Sequence, residues 1–476
     1  MKHLLQACLM AGCLALAACG GGGGSGGGGI TQTPVQSAPD APGVLKIAFG
    51  DGPLDGVDQV LMEISEIRLL SDDGQQVLVV DEPTTIDLLQ LRNVSELVVD
   101  AEVPAGSYSK IRLLVSSLTL VRLNDPDTPA DDEFIDVDLV ANGKVDLNPQ
   151  GDFVISPGED VVVEVDVDLD RAIHIVQTGN GKIRFRPVVF VKVLDGTDGR
   201  YVRLFGQLAP ATTDGTDFDL CNVERLSSGD SVAGGDCLPL DLNENALVVD
   251  ENGEPIDPAL LAFDDYVTVL ARPRYVLEGL VFDTILVAKG MQDTFEQLFG
   301  TVSRSADENG AFGFVPDGGA EVEAQLVDGA IILDNAQNLL GPDAILDSLR
   351  AELLGLNVDD GMGGSVFRTL LVHLDDAAVS EDSLAGRLVA IFFDERRLEL
   401  EDTDLNPLCV LYDTDTSFFK VAPSDDDQAY GGTPIQLGDL AQGSEIQVQA
   451  YGTLNGDGCL EATQVVFEVA EPAPAT

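Results

Sequence analysis

The sequence is dominated by short apolar segments in which hydrophobic residues alternate with polar ones. In the clearest of them, VVVEVDVDLD, apolar and acidic residues alternate strictly from Val163 to Asp170. Alternation with period two is the pattern of a β-strand with one buried face. Asn142-Gly143 and Asn180-Gly181 each lie between two such segments and predict hairpin turns. No segment has the period and length of a long amphipathic helix. The sequence therefore predicts an all-β protein.

The charge balance limits the partners that the surface can bind. The chain has 82 acidic residues against 26 lysines and arginines, which gives a formal net charge of -56. Apolar residues make up 45% of the chain, a proportion typical of folded proteins. An acidic surface of this kind repels polyanions, so nucleic acid and anionic lipid surfaces are poor partners, and no nucleic-acid partner is expected.

The first residues predict export and lipid attachment. An apolar run after Lys2 is too short to span a bilayer and has the form of a secretory signal. It ends in Leu16-Ala17-Ala18-Cys19, which resembles the lipobox of bacterial lipoproteins. The resemblance implies removal of residues 1–18, lipidation of Cys19 and, because Gly20 follows, sorting to the outer membrane. The alternative is an ordinary signal peptide cut after Ala18. Residues 19–42 are rich in glycine, which predicts a flexible tether.

Residues 43–195 contain an ordered set of features that resembles a known family. These are FGDGPLDGVDQVLMEISEIRLL, IDLLQL, VPAGSYSKIRLLV and FRPVVFVKV. The set is similar to a family of bacterial lipoprotein domains, the domain-of-unknown-function family four-three-eight-two. The resemblance implies an immunoglobulin-like or transthyretin-like β-sandwich without a known active site. Within the third feature, Pro104 and Gly106 predict a turn against which Tyr108 packs, with its hydroxyl bonded back to the turn.

The second half of the chain contains a threefold repeat. The segments LFGQLAP, LFGTVSR and LAGRLVA place Gly206, Gly300 and Gly386 about 90 residues apart, and each unit closes with a pair of strands. The pattern resembles small five- to six-stranded, OB-like barrels, with family five-six-six-six of unknown function the nearest match. The sequence therefore predicts three β-barrel repeats, at residues 200–292, 296–376 and 383–470.

The cysteines fit the predicted units. Besides Cys19, the exported chain has Cys221, Cys237, Cys409 and Cys459. An oxidising compartment favours two disulfides, with three pairings available. Pairing within units favours Cys221–Cys237 in the first repeat and Cys409–Cys459 in the third.

Few residues suggest a reaction. Only His174 and His373 remain after processing, and alignment of the repeats places Ala288 and Val466 where His373 stands, so His373 is predicted to be a strand residue. Two histidines are too few to suggest a zinc site or Ser–His or Cys–His catalysis. Carboxylates are abundant and leave glycoside hydrolysis open, although the chain has no tryptophan to stack on sugars.

One acidic loop has the ligand type that calcium prefers. The segment NDPDTPADDEFIDVD carries four aspartates whose oxygens are candidate calcium ligands, namely Asp125, Asp127, Asp131 and Asp132. The spacing is not that of an EF-hand, and a solvated acidic loop is the competing interpretation. Calcium is the one cofactor that the sequence suggests.

Taken together, these features favour a non-enzymatic protein of the cell envelope. It is expected to be anchored in the outer membrane by its N-terminal lipid and to act as a binding, scaffold or display module for an unknown protein or polysaccharide. The alternative is a carboxylate-dependent hydrolase or a carbohydrate-binding protein acting on an envelope or environmental polymer. A deep cleft lined by two acids about 5 to 10 Å apart would favour the hydrolase.

Overall fold

The computed structural model describes most of the chain from residue 41 onward. The described residues are 41–51, 54, 56–122, 132–149, 151–175, 183–194, 198–210, 217–226, 229, 231–232, 237–277, 279–359, 364–375, 382–402, 404–423, 429–440 and 446–469. Over this part the fold is all-β, as predicted, with one short α-helix, Leu169–Ala172. No helix within it has the length and apolar character needed to cross a membrane.

The N-terminal domain is a β-sandwich. Its strands are β1 (Gly43–Asp51), β2 (Gln59–Leu70), β3 (Gln76–Val80), β4 (Thr84–Asp87), β5 (Glu96–Val103), β6 (Gly106–Tyr108), β7 (Lys110–Arg122), β8 (Glu133–Asp136), β9 (Lys144–Leu147), β10 (Phe153–Ile155), β11 (Asp160–Val167), β12 (Ile173–Ile175), β13 (Ile183–Phe185) and β14 (Val189–Val193). One sheet has the order β14-β11-β1-β5, and the other contains β9-β7-β2-β3 with β4 and β8 at its margins. Alternate residues of both sheets, such as Phe49, Val163 and Met62, form one buried core.

The predicted turn around Tyr108 is confirmed, and one predicted hairpin is wrong. The hydroxyl of Tyr108 donates a hydrogen bond to the carbonyl of Pro104, with an oxygen–oxygen distance of 2.7 Å. Asn142-Gly143 does turn the chain with positive φ angles, but β8 and β9 on either side of it both pair with β7 rather than with each other. Asn180-Gly181 lies outside the described residues, between β12 and β13, which do pair antiparallel.

Two closed five-stranded barrels follow the sandwich. The first contains β15 (Val202–Pro210), β16 (Asp217–Glu224), β17 (Leu238–Val249), β18 (Tyr266–Val276) and β19 (Gly279–Lys289), and the second contains β20 (Glu296–Arg304), β21 (Ala311–Pro316), β22 (Val322–Leu333), β23 (Arg350–Asp359) and β24 (Ser365–Leu374). In both, the order around the barrel is first, second, third, fifth and fourth strand. A Cβ atom at Gly206 would lie 2.7 Å from the Cys221 carbonyl oxygen, and one at Gly300 would lie 2.2 Å from that of Val315. The repeated glycine therefore lets the first two strands approach closely.

The third unit has the same ring but shares a sheet with the sandwich. Its strands are β25 (Asp382–Phe392), β26 (Arg397–Glu401), β27 (Pro407–Leu411), β28 (Ser417–Pro423), β29 (Tyr430–Pro434), β30 (Ile446–Leu454) and β31 (Cys459–Val469). Parallel pairing of β27 with β31 closes the ring. In contrast to the other two units, β29 then pairs in parallel with β9, placing Tyr430 opposite Val145. One sheet therefore runs from the third unit into the sandwich.

Two disulfides join the cysteine pairs that the repeat favours. Cys221 bonds to Cys237 within the first barrel, with a Cα–Cα distance of 4.2 Å. Cys409 bonds to Cys459 within the third unit, with a Cα–Cα distance of 4.6 Å. Each bond therefore stays within one repeat.

Candidate binding cleft

An open cleft of about 1490 Å³ lies beside the outer face of the first sandwich sheet. One wall is formed by β11 and β14, and the other by the end of the hairpin between β18 and β19 of the first barrel. Pro434 of the third unit reaches its margin. Three parts of the fold thus contribute to one concave surface, which is where binding sites commonly form.

Charged side chains are held in place on the sandwich wall. The backbone N–H of Arg200 donates to Oε1 of Glu164 at 2.5 Å, and its Nη1 lies 3.4 Å from Oδ2 of Asp166. Lys192 on β14 places its Nζ 3.8 Å from Oε2 of Glu164. Gly199 makes this approach feasible, because a Cβ there would lie 2.7 Å from Oε1 of Glu164. The wall therefore carries two carboxylates and two cations in defined positions.

Asp166 has an unusual environment within this wall. Its carboxylate is crowded by surrounding protein, which raises its pKa above the ordinary value, and the Arg200 guanidinium partly opposes that rise. The side chain nevertheless keeps 43% of its surface open to the cleft. A bound molecule can therefore reach the Asp166 carboxylate. By displacing water from it, such a molecule would change the pKa of the group and hence its charge.

Two apolar side chains, one from the hairpin and one from the sandwich, are also exposed in the cleft. Leu277, at the end of the β18–β19 hairpin, is fully exposed, and Val154 on β10 is 62% exposed. The Tyr275 hydroxyl fixes the hairpin against the sandwich by accepting from the N–H of Val162 at 3.1 Å and donating to the carbonyl of Asp160 at 3.2 Å. Both exposed side chains line the cleft, so a molecule bound there would cover them.

A buried polar cluster fixes the two barrels against the sandwich. Glu352 of the second barrel is fully buried and accepts hydrogen bonds from Asn93 of the sandwich at 2.8 Å and from Gln297 at 2.6 Å. Nη1 of Arg203, from the first barrel, lies 3.3 Å from the same carboxylate, and Nη2 donates to Gln297 at 2.7 Å. Nearby, the Arg92 guanidinium stacks 4.0 Å from the centre of the Phe299 ring. These contacts hold the modules in a fixed arrangement.

His373 lies next to this cluster as a core strand residue. It pairs with Glu352 across β23 and β24 and is 1% exposed. Neither ring nitrogen has a hydrogen-bond partner among the described residues. Burial lowers its pKa, which the Glu352 charge partly opposes. His373 stands opposite Leu333 as Ala288 stands opposite Val249 in the first barrel, which agrees with the alignment of the repeats.

Asp375 provides a test of the electrostatics at this junction. Burial raises its pKa to about 6, Glu352 adds to the rise, and Arg92 and Arg350 oppose it. The folded chain therefore retains a proton that the unfolded chain releases between about pH 4 and 6, so this group lowers stability as the pH rises through that window. We expect Asp375→Asn to raise the free energy of unfolding by about 1–3 kcal/mol at pH 7, with the difference vanishing below pH 4.

Urea unfolding at several pH values measures this effect. Asp343→Asn, at an exposed position of the same barrel, removes the same charge without the burial and serves as the control. A gain for Asp375→Asn that is equal at pH 4 and pH 7 would contradict the proposed cause.

The residues singled out in the sequence for lipid or calcium binding lie mostly outside the described part of the chain. Cys19, Asp125, Asp127 and Asp131 lie outside the described residues, and Asp132 precedes β8. Within the part of the chain that the structure describes, no group of three histidine, cysteine, aspartate or glutamate side chains is arranged to hold a metal ion. The calcium site therefore stays a prediction. The backbone of His174 lies in β12, and its side chain is not among those described.

Sequence reasoning missed the cleft, although part of the signal was present. Strict alternation in β11 directs Val163 and Val165 into the core, and therefore directs Glu164 and Asp166 to the opposite face. Nothing in the sequence shows that the hairpin of the first barrel lies across from that face.

Comparisons with known proteins bear on the sandwich alone. Residues 42–187 match the family model described as Domain of unknown function (DUF4382), which confirms the resemblance drawn from this region. No curated protein matches the sequence. A solved structure described as "drosophila Unr CSD456" is similar at 10% identity, covering 56% of this chain and 97% of that chain, with a TM-score of 0.18. A TM-score at that level supports no conclusion about fold or function.

Proposed function

We propose that this protein is a lipid-anchored binding protein of the cell envelope whose ligand occupies the cleft beside β11 and β14. The observation that carries the proposal is the cleft itself, in which Leu277 and Val154 are exposed beside the fixed charges of Arg200 and Asp166. Its volume of about 1490 Å³ exceeds the range of about 300–1,000 Å³ that small-molecule pockets occupy. A segment of a protein or polysaccharide therefore suits it better than a small metabolite.

Rigidity supports a binding role for this surface. The cleft lies between modules that are held by the buried Glu352–Arg203 pair, by the Tyr275 hydroxyl and by the continuous β29–β9 pairing. A surface that is ordered before the ligand arrives loses less entropy on binding. The arrangement therefore favours capture of a partner over a role as a passive spacer.

The binding proposal is tested by comparing two exposed leucines. Leu277 lies in the cleft, and Leu260, which is 65% exposed, lies outside it on the same barrel. We expect Leu277→Asp to reduce the recovery of partners cross-linked in intact membranes at least tenfold, because it places a charge on the apolar wall. Leu260→Asp should recover the wild-type amount. Equal recovery by both variants would remove the cleft from the proposal.

A second function is favoured by the two carboxylates of β11. Residues two apart on a strand lie on the same face with Cα atoms about 6.6 Å apart, so two carboxylates in this relation share one surface, as the two acids of a glycoside hydrolase must. Glu164 and Asp166 have this relation, and the raised pKa of Asp166 suits a general acid. Release of reducing ends from envelope polysaccharides that is abolished in Asp166→Asn, and retained in Asp160→Asn, would support a hydrolase in place of a binding protein.

Membrane attachment through Cys19 is a separate prediction. Because lipid is added to the cysteine sulfur, Cys19→Ser should leave the protein unprocessed or release it into the soluble fraction, with loss of label from a radioactive fatty acid. Cell fractionation and labelling measure both effects, and Ser25→Ala in the tether serves as a control. Retention of lipid label in Cys19→Ser would contradict the anchor.

A further inference from the structure

We propose that the free edge of β14 binds an extended cationic peptide segment of a partner protein, which adds to the sandwich sheet as a further strand. This inference rests on the proposed function, because it names the class of partner that the cleft accepts. It is carried by the sheet order, the direction of the backbone groups of β14 and the charges around them.

β14 lies at the end of its sheet. The order β14-β11-β1-β5 gives it one neighbour, with Val193 opposite Val163 and Val191 opposite Val165. The N–H of Leu194 donates to the carbonyl of Val162 at 2.9 Å, towards β11. Since antiparallel strands use alternate residues for each neighbour, Val191 and Val193 direct their N–H and C=O groups away from β11.

These outward groups have no hydrogen-bond partner among the residues that the structure describes. They border the cleft, which is lined by Phe190 through Leu194. An unpaired strand edge is a template for another strand unless it is covered or blocked. An added strand would lie about 4.8 Å from β14, on the side where the cleft borders it.

The two faces of β14 specify what the added strand carries. Val191 and Val193 share the core side of the sheet with Val165 and Val163, whereas Lys192 shares the opposite side with Glu164. A strand paired with β14 would alternate in the same way, with apolar side chains beside the valines. Its other side chains would lie beside Phe190 and Lys192, and the carboxylates of Glu164 and Asp166 on β11 would be one strand further, about 10 Å from the added backbone.

The acidic residues of the cleft favour cationic side chains at those positions of the added strand that face away from the core. The cleft is lined by five acidic residues against Lys192 and Arg200, and the chain as a whole carries a net charge of -56; the acidic residues are Asp152, Glu159, Asp160, Glu164 and Asp166. Complementary charge increases the rate of association and suppresses wrong partners. An alternating apolar and basic segment therefore fits better than an acidic peptide.

Binding of a synthetic peptide tests the inference on the full chain in detergent. The probe is a fluorescent, end-blocked heptapeptide of alternating lysine and valine, and fluorescence anisotropy measures its Kd. Controls are a peptide with glutamate in place of lysine and a peptide of the same composition with the lysines grouped together. We expect the alternating cationic peptide to bind at least tenfold more tightly than either control, and its Kd to rise with salt.

The Val193→Pro variant distinguishes hydrogen bonding to the edge of β14 from general electrostatic attraction to the acidic protein. Proline removes the outward N–H of residue 193 and leaves the bonds to β11 intact, and it is tolerated on edge strands. We expect Val193→Pro to weaken peptide binding at least tenfold, whereas Val193→Thr, which keeps the N–H, stays within about threefold. Should Val193→Pro fail to fold, methylation of alternate peptide amides on the wild-type protein makes the same test, and one of the two methylation patterns should abolish binding.

Four results would overturn the inference: no binding of the alternating cationic peptide, equal binding of either control peptide, unchanged binding by folded Val193→Pro, or insensitivity to both methylation patterns. If the peptide does not bind while Leu277→Asp still loses its membrane partners, the cleft functions with another class of ligand, such as a polysaccharide. If the peptide does not bind and Leu277→Asp recovers the wild-type amount of partners, both this inference and the proposed function are wrong.

Discussion

Glu352→Ala is expected to lower the free energy of unfolding by about 3–5 kcal/mol. The substitution removes a fully buried carboxylate that accepts hydrogen bonds from Asn93 and Gln297. It also leaves the Arg203 guanidinium, 6% exposed, without its counter-charge. An unpaired charge in that environment is far less stable than the paired one, so the loss exceeds that of an ordinary side-chain truncation.

An exposed ion pair of the same barrel supplies the matched control for this prediction. Arg304 and Glu323 lie 2.6 Å apart, and each side chain is 48% exposed. Because water screens such pairs, Glu323→Ala should cost less than about 1 kcal/mol. Urea unfolding of the two variants and the wild type gives both values. A loss for Glu352→Ala no larger than that for Glu323→Ala would show that the buried cluster contributes little to stability.

The position of Glu352 also shows why its role was not visible in the sequence. Glu352, Thr268 and Gln449 occupy equivalent places in the three units, each paired with the residue before the repeated glycine. In the sequence they are merely polar residues on alternating strands. In the fold, Glu352 forms an ion pair with Arg203. Oε1 of Gln449 accepts a hydrogen bond from Nη2 of Arg186 at 2.7 Å. The partners come from other modules, and pairing between modules leaves no local pattern.

Features with a local cause were predictable. Strict alternation predicts β11, and the hydrogen bond from Tyr108 to Pro104 follows from a turn only four residues long. The repeated glycines mark the crossing of the first two strands in each barrel. Cysteines confined to single units led to the observed disulfides. In each case the interacting residues belong to one unit, so the repeat supplies the necessary information.

Features set by the arrangement of modules were not predictable. The parallel pairing of β29 with β9 joins segments almost 300 residues apart in the chain and makes the third unit part of the sandwich sheet. The cleft likewise depends on where the β18–β19 hairpin lies relative to β11 and β14. Asn142-Gly143 failed as a hairpin signal because β7 is long enough to pair with both flanking strands. Hydrophobic periodicity describes which face of a strand is buried, but not which strand buries it.

Loss of the Cys409–Cys459 disulfide is expected to have the second large effect on stability. Cys409 pairs directly with Cys459 at the place where β27 and β31 close the ring of the third unit. That pairing extends over only three residues of each strand, so the covalent bond supports a short, parallel contact. With a sequence separation of 50, the bond restricts a long loop of the unfolded chain, and its removal should cost about 4 kcal/mol.

The Cys221–Cys237 bond provides the comparison, because its sequence separation is only 16. On the loop-entropy argument, the Cys221→Ser/Cys237→Ser variant should lose about 3 kcal/mol, against about 4 kcal/mol for Cys409→Ser/Cys459→Ser. Hydrogen exchange should separate the two further, since opening of the ring would expose the amides of β27 in the second variant but leave those of β16 protected. Equal protection of β27 in the wild type and in Cys409→Ser/Cys459→Ser would mean that the ring closes without the disulfide. In that case the bond would act only on the unfolded chain, and the sheet shared through β29 and β9 would be sufficient to hold the third unit in place.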